Sequence, residues 1–265
     1  MVLSLLAMPE GRITRGTTGT NRLRRVDRWI AASPALRDAE SPLVVDLGYG
    51  AAPWTVLELA DRLARVRSDI DVIGIEIDPE RVAVAAPYRR PGLDFVRGGF
   101  EVPLPRGRRA TVIRAMNVLR QYKEDEVAAA WARLSSRIDD GGLVVDGTSN
   151  EVGRIASWVA LDTAGPQSFT ISLRLDGLER PGIVEERLPK ALIHRNVPGE
   201  RIHDLVTGLD EQWARAAGYG EFGAVQRWLH TVDGLRENGW PVLGDRRRWR
   251  LGELTVPWTA VAPLD

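Results

Sequence analysis

Basic and acidic side chains number 36 each along 265 residues, so the chain carries no net charge and nothing global draws it to nucleic acid or an anionic membrane. Cysteine is absent, which excludes a disulfide framework, a thiolate zinc site and a cysteine nucleophile, and is compatible with a cytoplasmic location. With 44% hydrophobic and 27% charged residues the chain can bury a full core without metals or cross-links, and no apolar stretch is long enough to span a bilayer.

The chain starts with a short apolar run, Met1 to Met8, that lacks the basic beginning and the length of a signal peptide; Met8 is an alternative start. Residues 10–28 are polar and basic. Their Thr- and Gly-rich first part reads as loop, and from Asn21 the spacing Leu23, Val26, Trp29, Ile30 predicts a helix capped by Thr20 or Asn21. Strand and helix signals then alternate. Apolar runs predict strands at 43–47, 72–76, 93–96, 110–115 and 143–146. Between them lie predicted helices at 54–66, from Asp78-Pro79-Glu80 onward, and at 124–138, the last ended by Gly141-Gly142. Beyond Asp146 the rhythm changes. Residues 155–161 and 168–175 read as a hairpin around Gly165-Pro166, 201–217 and 222–237 as helices, and 249–261 as a final strand interrupted by Pro257.

Nearly continuous apolar strands alternating with helices imply an α/β fold with a doubly wound, mostly parallel sheet covered on both faces. The expected organisation is an N-terminal arm and helix (1–41), a ligand-binding core (42–150), an inserted hairpin and helical segment after strand five (151–221), and a C-terminal helix and strands completing the sheet (222–265).

The informative constellation is Val44-Val45-Asp46-Leu47-Gly48-Tyr49-Gly50-Ala51-Ala52-Pro53, which follows a strand and opens a helix. Glycines there let backbone approach a ligand closely, and the free N–H groups of the next helix favour a negative group. Pro53 stands where a dinucleotide fingerprint has its third glycine, and the Lys-Ser/Thr of a P-loop is absent, which argues against both of those ligands. Glu76 ends the second strand, placed to accept hydrogen bonds from ribose hydroxyls; Asp78, two residues on, suits the helix cap.

Asp46-x-Gly48-x-Gly50 followed by Gly74-Ile75-Glu76-Ile77-Asp78 resembles the class I S-adenosylmethionine-dependent methyltransferases over about residues 42–150. The resemblance implies S-adenosylmethionine as cofactor. The loop Asp46, Gly48, Tyr49 and Gly50 would lie against its methionine part, Glu76 with Ile77 beside its ribose, and Gly98-Gly99-Phe100 beside its adenine. It departs from many members in having Gly99-Phe100 where an acid and a small residue stand. The missing cysteine removes pyrimidine-C5 methylation through a thiolate.

The resemblance places the transferred methyl at the end of the fourth strand, Arg114-Ala115-Met116-Asn117. The Pro-Pro-aromatic continuation of some N-methylating members is absent: Val118-Leu119 follows. Asn117 either orients an acceptor or caps a turn, and Arg114 either meets a substrate anion or is structural. Methyl transfer is an in-line displacement in which the protein positions the partners and, for a hydroxyl acceptor, supplies a base. His194, in a loop-like stretch of the inserted region, is the candidate base; His203 and His230 lie on predicted helices and read as structural. Asp146, Asn150 and Glu151 are too loosely spaced for a divalent cation, so a polar turn and no metal are expected.

The first expectation is a methyltransferase for a small molecule, with acceptor determinants in the N-terminal arm and 151–221. An RNA methyltransferase using Arg22, Arg24, Arg25, Arg28 and Arg246-Arg247-Arg248 is the second, although a solvated role for those arginines is favoured. A catalytically silent cofactor-binding or scaffold protein is the third. No membrane partner is expected. Six of the nine tryptophans follow residue 150, where they serve a core, a wide pocket or a homodimer surface.

Overall fold

Parallel strands β1 (Leu43–Leu47), β2 (Asp71–Glu76), β3 (Leu93–Arg97), β4 (Ala110–Met116) and β5 (Ile138–Ser149) form the larger part of the sheet seen in the computed structural model. The structure describes residues 8–16, 19–105 and 107–264; Met1 and the rest of the run 1–7 lie outside the described residues. β6 (Ile155–Asp162), β7 (Gly165–Leu173) and β8 (Glu253–Pro257) continue the same sheet with antiparallel pairing, giving the order β3-β2-β1-β4-β5-β6-β7-β8. β1 and β4 are buried along their whole length, as strands covered on both faces require.

Helices cover both faces. On one lie α1 (Arg24–Ala31), α2 (Pro34–Arg37), α3 (Trp54–Ala64) and α4 (Pro79–Ala85), burying Ile30, Leu36, Leu59 and Leu63 against Val44, Val72 and Phe95. On the other lie α5 (Val127–Ser135), α6 (Lys190–Ile193), α7 (Arg201–Arg215) and α8 (Ala224–Glu237). Trp131, Leu209 and Trp228 from these pack against Val144, Phe169 and Ile171. Trp158, Trp213, Trp228 and Trp249 are buried, so the tryptophan-rich half is mainly core.

Four expectations need correction. The 155–173 hairpin extends the sheet as its next two strands, because β6 pairs with β5 from Val144↔Leu161 to Ser149↔Ala156. Gly141-Gly142 does not end a helix: α5 stops at Ser135, and the pair lies inside β5 beside a register shift. Gly141 has φ +78°, and a Cβ on Gly142 would sit 2.8 Å from the Asp139 carbonyl oxygen, so this kink admits glycine. Neither Thr20 nor Asn21 caps α1; Asn21 turns the chain at φ +60° and the first helical residue is Arg24. Residues 246–249 form a short helix, α9 (Arg246–Trp249), because Asp245 Oδ1 accepts from the N–H of Arg247 at 2.8 Å, leaving only Glu253–Pro257 as strand.

Candidate functional site

The strand order reverses between β1 and β4, and a crevice opens beyond the carboxyl ends of strands at such a point. Gly48 leaves β1 at φ +69°, and a Cβ there would lie 2.7 Å from Val118 Cγ2, so the β1 and β4 loops touch through a bare glycine. Gly50, at φ +87°, donates its N–H to Glu76 Oε2 at 2.8 Å. The other oxygen, Oε1, accepts from the N–H of Ile77 at 2.9 Å and of Asp78 at 3.3 Å, and the Arg81 guanidinium stands 3.6 Å from Oε2. Glu76 is thus a buried carboxylate that closes the glycine loop onto β2. Asp78 caps α4, its Oδ1 accepting from the Glu80 N–H at 2.9 Å. Asn117 follows β4 at φ +63°, a conformation asparagine tolerates, with its N–H on the Gly147 carbonyl at 2.7 Å and its Oδ1 accepting from the Ser149 N–H at 3.0 Å.

Beneath the loop, Arg114 is wholly buried. Its Nε donates to Asp46 Oδ1 at 2.9 Å and its Nη2 to Asp46 Oδ2 at 2.6 Å, while its Nη1 meets Asp27 of α1. Thr55 Oγ1 donates to Asp46 Oδ2 at 2.9 Å, and Arg62 of α3 pairs with the second oxygen of Asp27. Burial works against the Arg114 charge, but Asp46 and Asp27 outweigh it and raise its pKa. Asp46 therefore shapes the loop from below, with both oxygens engaged by the protein. The signal was legible: an arginine inside the apolar run 110–116 needs a buried carboxylate partner.

The N-terminal arm crosses the crevice. The Glu10 carbonyl accepts from the Phe100 N–H at 2.9 Å, and the bare α-carbon of Gly99 lies directly against it. The N–H of Arg12 donates to Tyr122 Oη at 2.8 Å, and its guanidinium stacks 4.4 Å above that ring and pairs with Glu126. The Thr14 carbonyl accepts from Arg81 Nη2 at 3.0 Å, and the Gly16 carbonyl accepts from the Ala51 N–H at 3.3 Å. A Cβ on Gly16 would sit 2.7 Å from Gly50 Cα. The arm divides the crevice into a cavity of about 60 Å³ beside Gly48, Thr55, Arg22 and Asn117, and one of about 20 Å³ beside Glu76, Ile77, Gly99 and Phe100. Exposed ion pairs contribute up to about 1 kcal/mol each. Replacing both Arg12 and Arg133 (the partner of Glu10) by alanine should therefore speed amide exchange in 10–16 several-fold with the global melting temperature little changed. Unchanged exchange in the arm would contradict the role given to these pairs.

Gly48, Gly50, Glu76, Ile77, Gly99, Phe100 and Asn117 thus meet along one crevice. Tyr49 lines it, but its ring is buried edge-to-face on Phe95, 5.6 Å between centroids, so it braces the loop from the core side. Phe100 packs edge-to-face on Tyr122 at 5.3 Å. His194 is not brought there: it is exposed at the end of α6, its Nε2 3.1 Å from Lys190 Nζ, and no histidine lines either cavity. The short helix before it buries Ala191 and Leu192 and leaves His194 on the exposed side, which loop-like composition did not reveal. Asp146 is buried against Trp131, whose Nε1 donates to it at 2.9 Å, and Asn150 Oδ1 accepts from the N–H of Arg154 at 2.8 Å.

The solvated reading of Arg22, Arg24 and Arg25 is also corrected, whereas Arg28 is exposed. Arg25 donates to the carbonyls of Gly153 and Leu251 at 3.1 and 3.2 Å, Arg24 to that of Val152 at 3.0 Å, and Arg28 stands 3.4 Å from Glu253. These side chains staple α1 to the sheet. Burial, then Arg28 and Arg24, pushes Arg25 down to about 10. In the second run Arg246 and Arg247 are exposed, as expected, Arg246 pairing with Asp233, while the less exposed Arg248 pairs with Glu253.

No family model matches this chain, and no curated protein matches it. Parts of three solved structures are similar to about half of it. One is human N-acetylserotonin methyltransferase in complex with S-adenosylmethionine, at 22% identity over 47% of this chain and 33% of that one, TM-score 0.36. Another is a TehB-like S-adenosylmethionine-dependent methyltransferase from Corynebacterium glutamicum, at 22% identity over 52% and 67%, TM-score 0.36. A third is an O-methyltransferase family 2 protein from Planctomyces limnophilus in complex with apigenin, at 19% identity over 51% and 42%, TM-score 0.38. The chain spans a third of the length of the human protein and less than half of the Planctomyces one.

Proposed function

We propose that the chain is an S-adenosylmethionine-dependent methyltransferase acting on a small-molecule acceptor. One observation carries this reading: at the switch point a bare glycine turn closes on the Glu76 carboxylate through the Gly50 N–H at 2.8 Å. The donor set suits the cofactor. Gly48 and Gly50 leave backbone open to its methionine part, Glu76 has acceptor oxygens for ribose hydroxyls, and Ile77, Gly99 and Phe100 supply an apolar wall for adenine. The space such a ligand needs is held by residues 10–16, so the reading requires the arm to shift as the ligand enters. Bound S-adenosylmethionine supplies a methyl group already activated on sulfur. The chain's own tasks are to hold it, exclude water and orient the acceptor, with Asn117 at the β4 edge for the last. His194 has no part in this reading.

Calorimetric titration with S-adenosylmethionine tests it. The intact protein should bind. Gly48→Val should abolish binding, since valine at φ +69° is strained and overlaps Val118. Glu76→Gln, which keeps the shape of the side chain, should weaken binding about tenfold by removing charge-assisted hydrogen bonds. Absence of binding by the intact protein would overturn the proposal.

A further inference from the structure

The arm does more than cross the crevice: its main chain takes up the polar groups that line it. Glu10 donates its N–H to Glu101 Oε2 at 2.8 Å and accepts the Phe100 N–H on its carbonyl at 2.9 Å. The Glu101 carboxylate is turned toward this place because its Oε1 accepts from the Gly99 N–H at 2.9 Å. One residue of the arm thus offers a donor and an acceptor side by side to the segment after β3. The amino group and neighbouring ring nitrogen of an adenine offer the same pair along one edge. Gly99 keeps the place open: a Cβ there would lie 1.9 Å from the Glu10 carbonyl oxygen, so a bare α-carbon is what admits a group so close.

The other end of the arm does likewise. The Gly16 carbonyl accepts from the Ala51 N–H of the glycine loop at 3.3 Å. The Thr14 carbonyl accepts at 3.0 Å from Arg81, the guanidinium that also stands beside Glu76. Donors on both sides of Glu76, which a ligand spanning the crevice would use, are therefore engaged by carbonyls of the chain itself. The hold is polar. Ile13 is the one large apolar side chain in 10–16 and it is exposed, while the N–H groups of Arg12 and Arg15 rest on Tyr122 Oη at 2.8 Å and Gln121 Oε1 at 2.6 Å. A segment fixed by a few hydrogen bonds, with little apolar burial, opens at much lower cost than the sheet beneath it.

We propose that residues 10–16 are an internal competitor for the adenine-bearing ligand of this crevice, with the Glu10 main chain holding the nucleobase seat until the ligand displaces it. The identity of that ligand rests on the methyltransferase reading above. The arm then sets affinity, because the intrinsic affinity of the crevice is reduced by the fraction of molecules whose arm is open.

Two substitutions in the arm, both outside the residues assigned to the ligand, test this on the full chain. Gly16→Ala places a Cβ 2.7 Å from Gly50 Cα and 2.8 Å from the Ala51 nitrogen, which pushes the arm outward. Glu10→Pro deletes the N–H that reaches Glu101. In calorimetric titration with S-adenosylmethionine both variants should bind about tenfold more tightly than the parent, the worth of one or two released hydrogen bonds. Amide exchange at Arg12 and Arg15 should be faster in both variants and, in the parent, faster with S-adenosylmethionine than without it. Equal affinity in parent and variants overturns the competitor and leaves the methyltransferase reading standing. Slower arm exchange in the presence of S-adenosylmethionine does the same, since it marks a lid that closes over the ligand. Unchanged arm exchange in both variants overturns the hold assigned to Glu10 and Gly16, and the competitor with it. Binding by neither parent nor variants overturns the methyltransferase reading itself, together with the competition built on it.

Discussion

Arg114→Met should destabilise this protein by about 3–5 kcal/mol, because it leaves the buried Asp46 without a cation and Asp27 with Arg62 alone. Asp46 and Asp27 share one guanidinium, with Asp27 fully buried and Asp46 nearly so. Methionine fills much of the same volume, so the loss is electrostatic rather than a cavity. Burial already pushes Asp27 up, with Arg114 and then Arg62 opposing; without Arg114 that upward push meets less opposition. The triple variant Arg114→Met, Asp46→Asn, Asp27→Asn should recover much of the loss, as replacing a whole buried ionic cluster costs less than halving one. Denaturant unfolding of the two variants checks this. An Arg114→Met protein as stable as the parent would show that the cluster contributes nothing net. The same variant bears on the site, since Asp46 immediately precedes Leu47 and Gly48 and Asp27 ties α1 to the loop's underside.

The parallel part of the sheet was legible because its physics is local. Leu43–Leu47 is a continuous apolar run before glycines, and Glu76 ends the next such run, so loop and acid could be placed on one edge before any contact was known. The arm was not legible. Residues 10–16 have no apolar period, and what fixes them are bonds to residues far along the chain, such as Arg12 to Tyr122 and Arg15 to Gln121. Arg22, Arg24 and Arg25 were misread for a related reason. A run of charge predicts solvent exposure, but these side chains end on backbone carbonyls around 149–153 and 251, and carbonyl acceptors leave no trace in composition. Tyr49 shows the limit of a motif. Its place in the loop was right, yet the ring found Phe95, a core position that spacing alone does not reveal. Gly141-Gly142 carries the signal of a helix end and that of a strand kink equally, and the pairing of β4 with β5 decides between them.

Asp146→Asn should stabilise the protein above pH 7 and not below about pH 4. The carboxyl lies in the middle of β5, fully buried, with the Trp131 N–H as its polar partner. Burial pushes it up to about 7, and that hydrogen bond opposes the shift only in part. In the unfolded chain the group loses its proton near the ordinary aspartate value, about 4. Between about pH 4 and 7 the folded protein therefore holds a proton that the unfolded chain has released, so stability falls as pH rises through this window and levels off above it. The accumulated loss approaches about 4 kcal/mol for a shift of this size. Asparagine keeps an acceptor for Trp131 and cannot ionise, so it escapes the loss. Unfolding free energies of parent and variant at pH 4 and pH 8.5 should converge at the first and separate at the second, with the variant the more stable. An equal gap at both values would show that Asp146 does not titrate in this window. The opposite order at pH 8.5 would mean that the ionised carboxylate is stabilised by the fold, which a single indole N–H in an apolar layer is not expected to achieve.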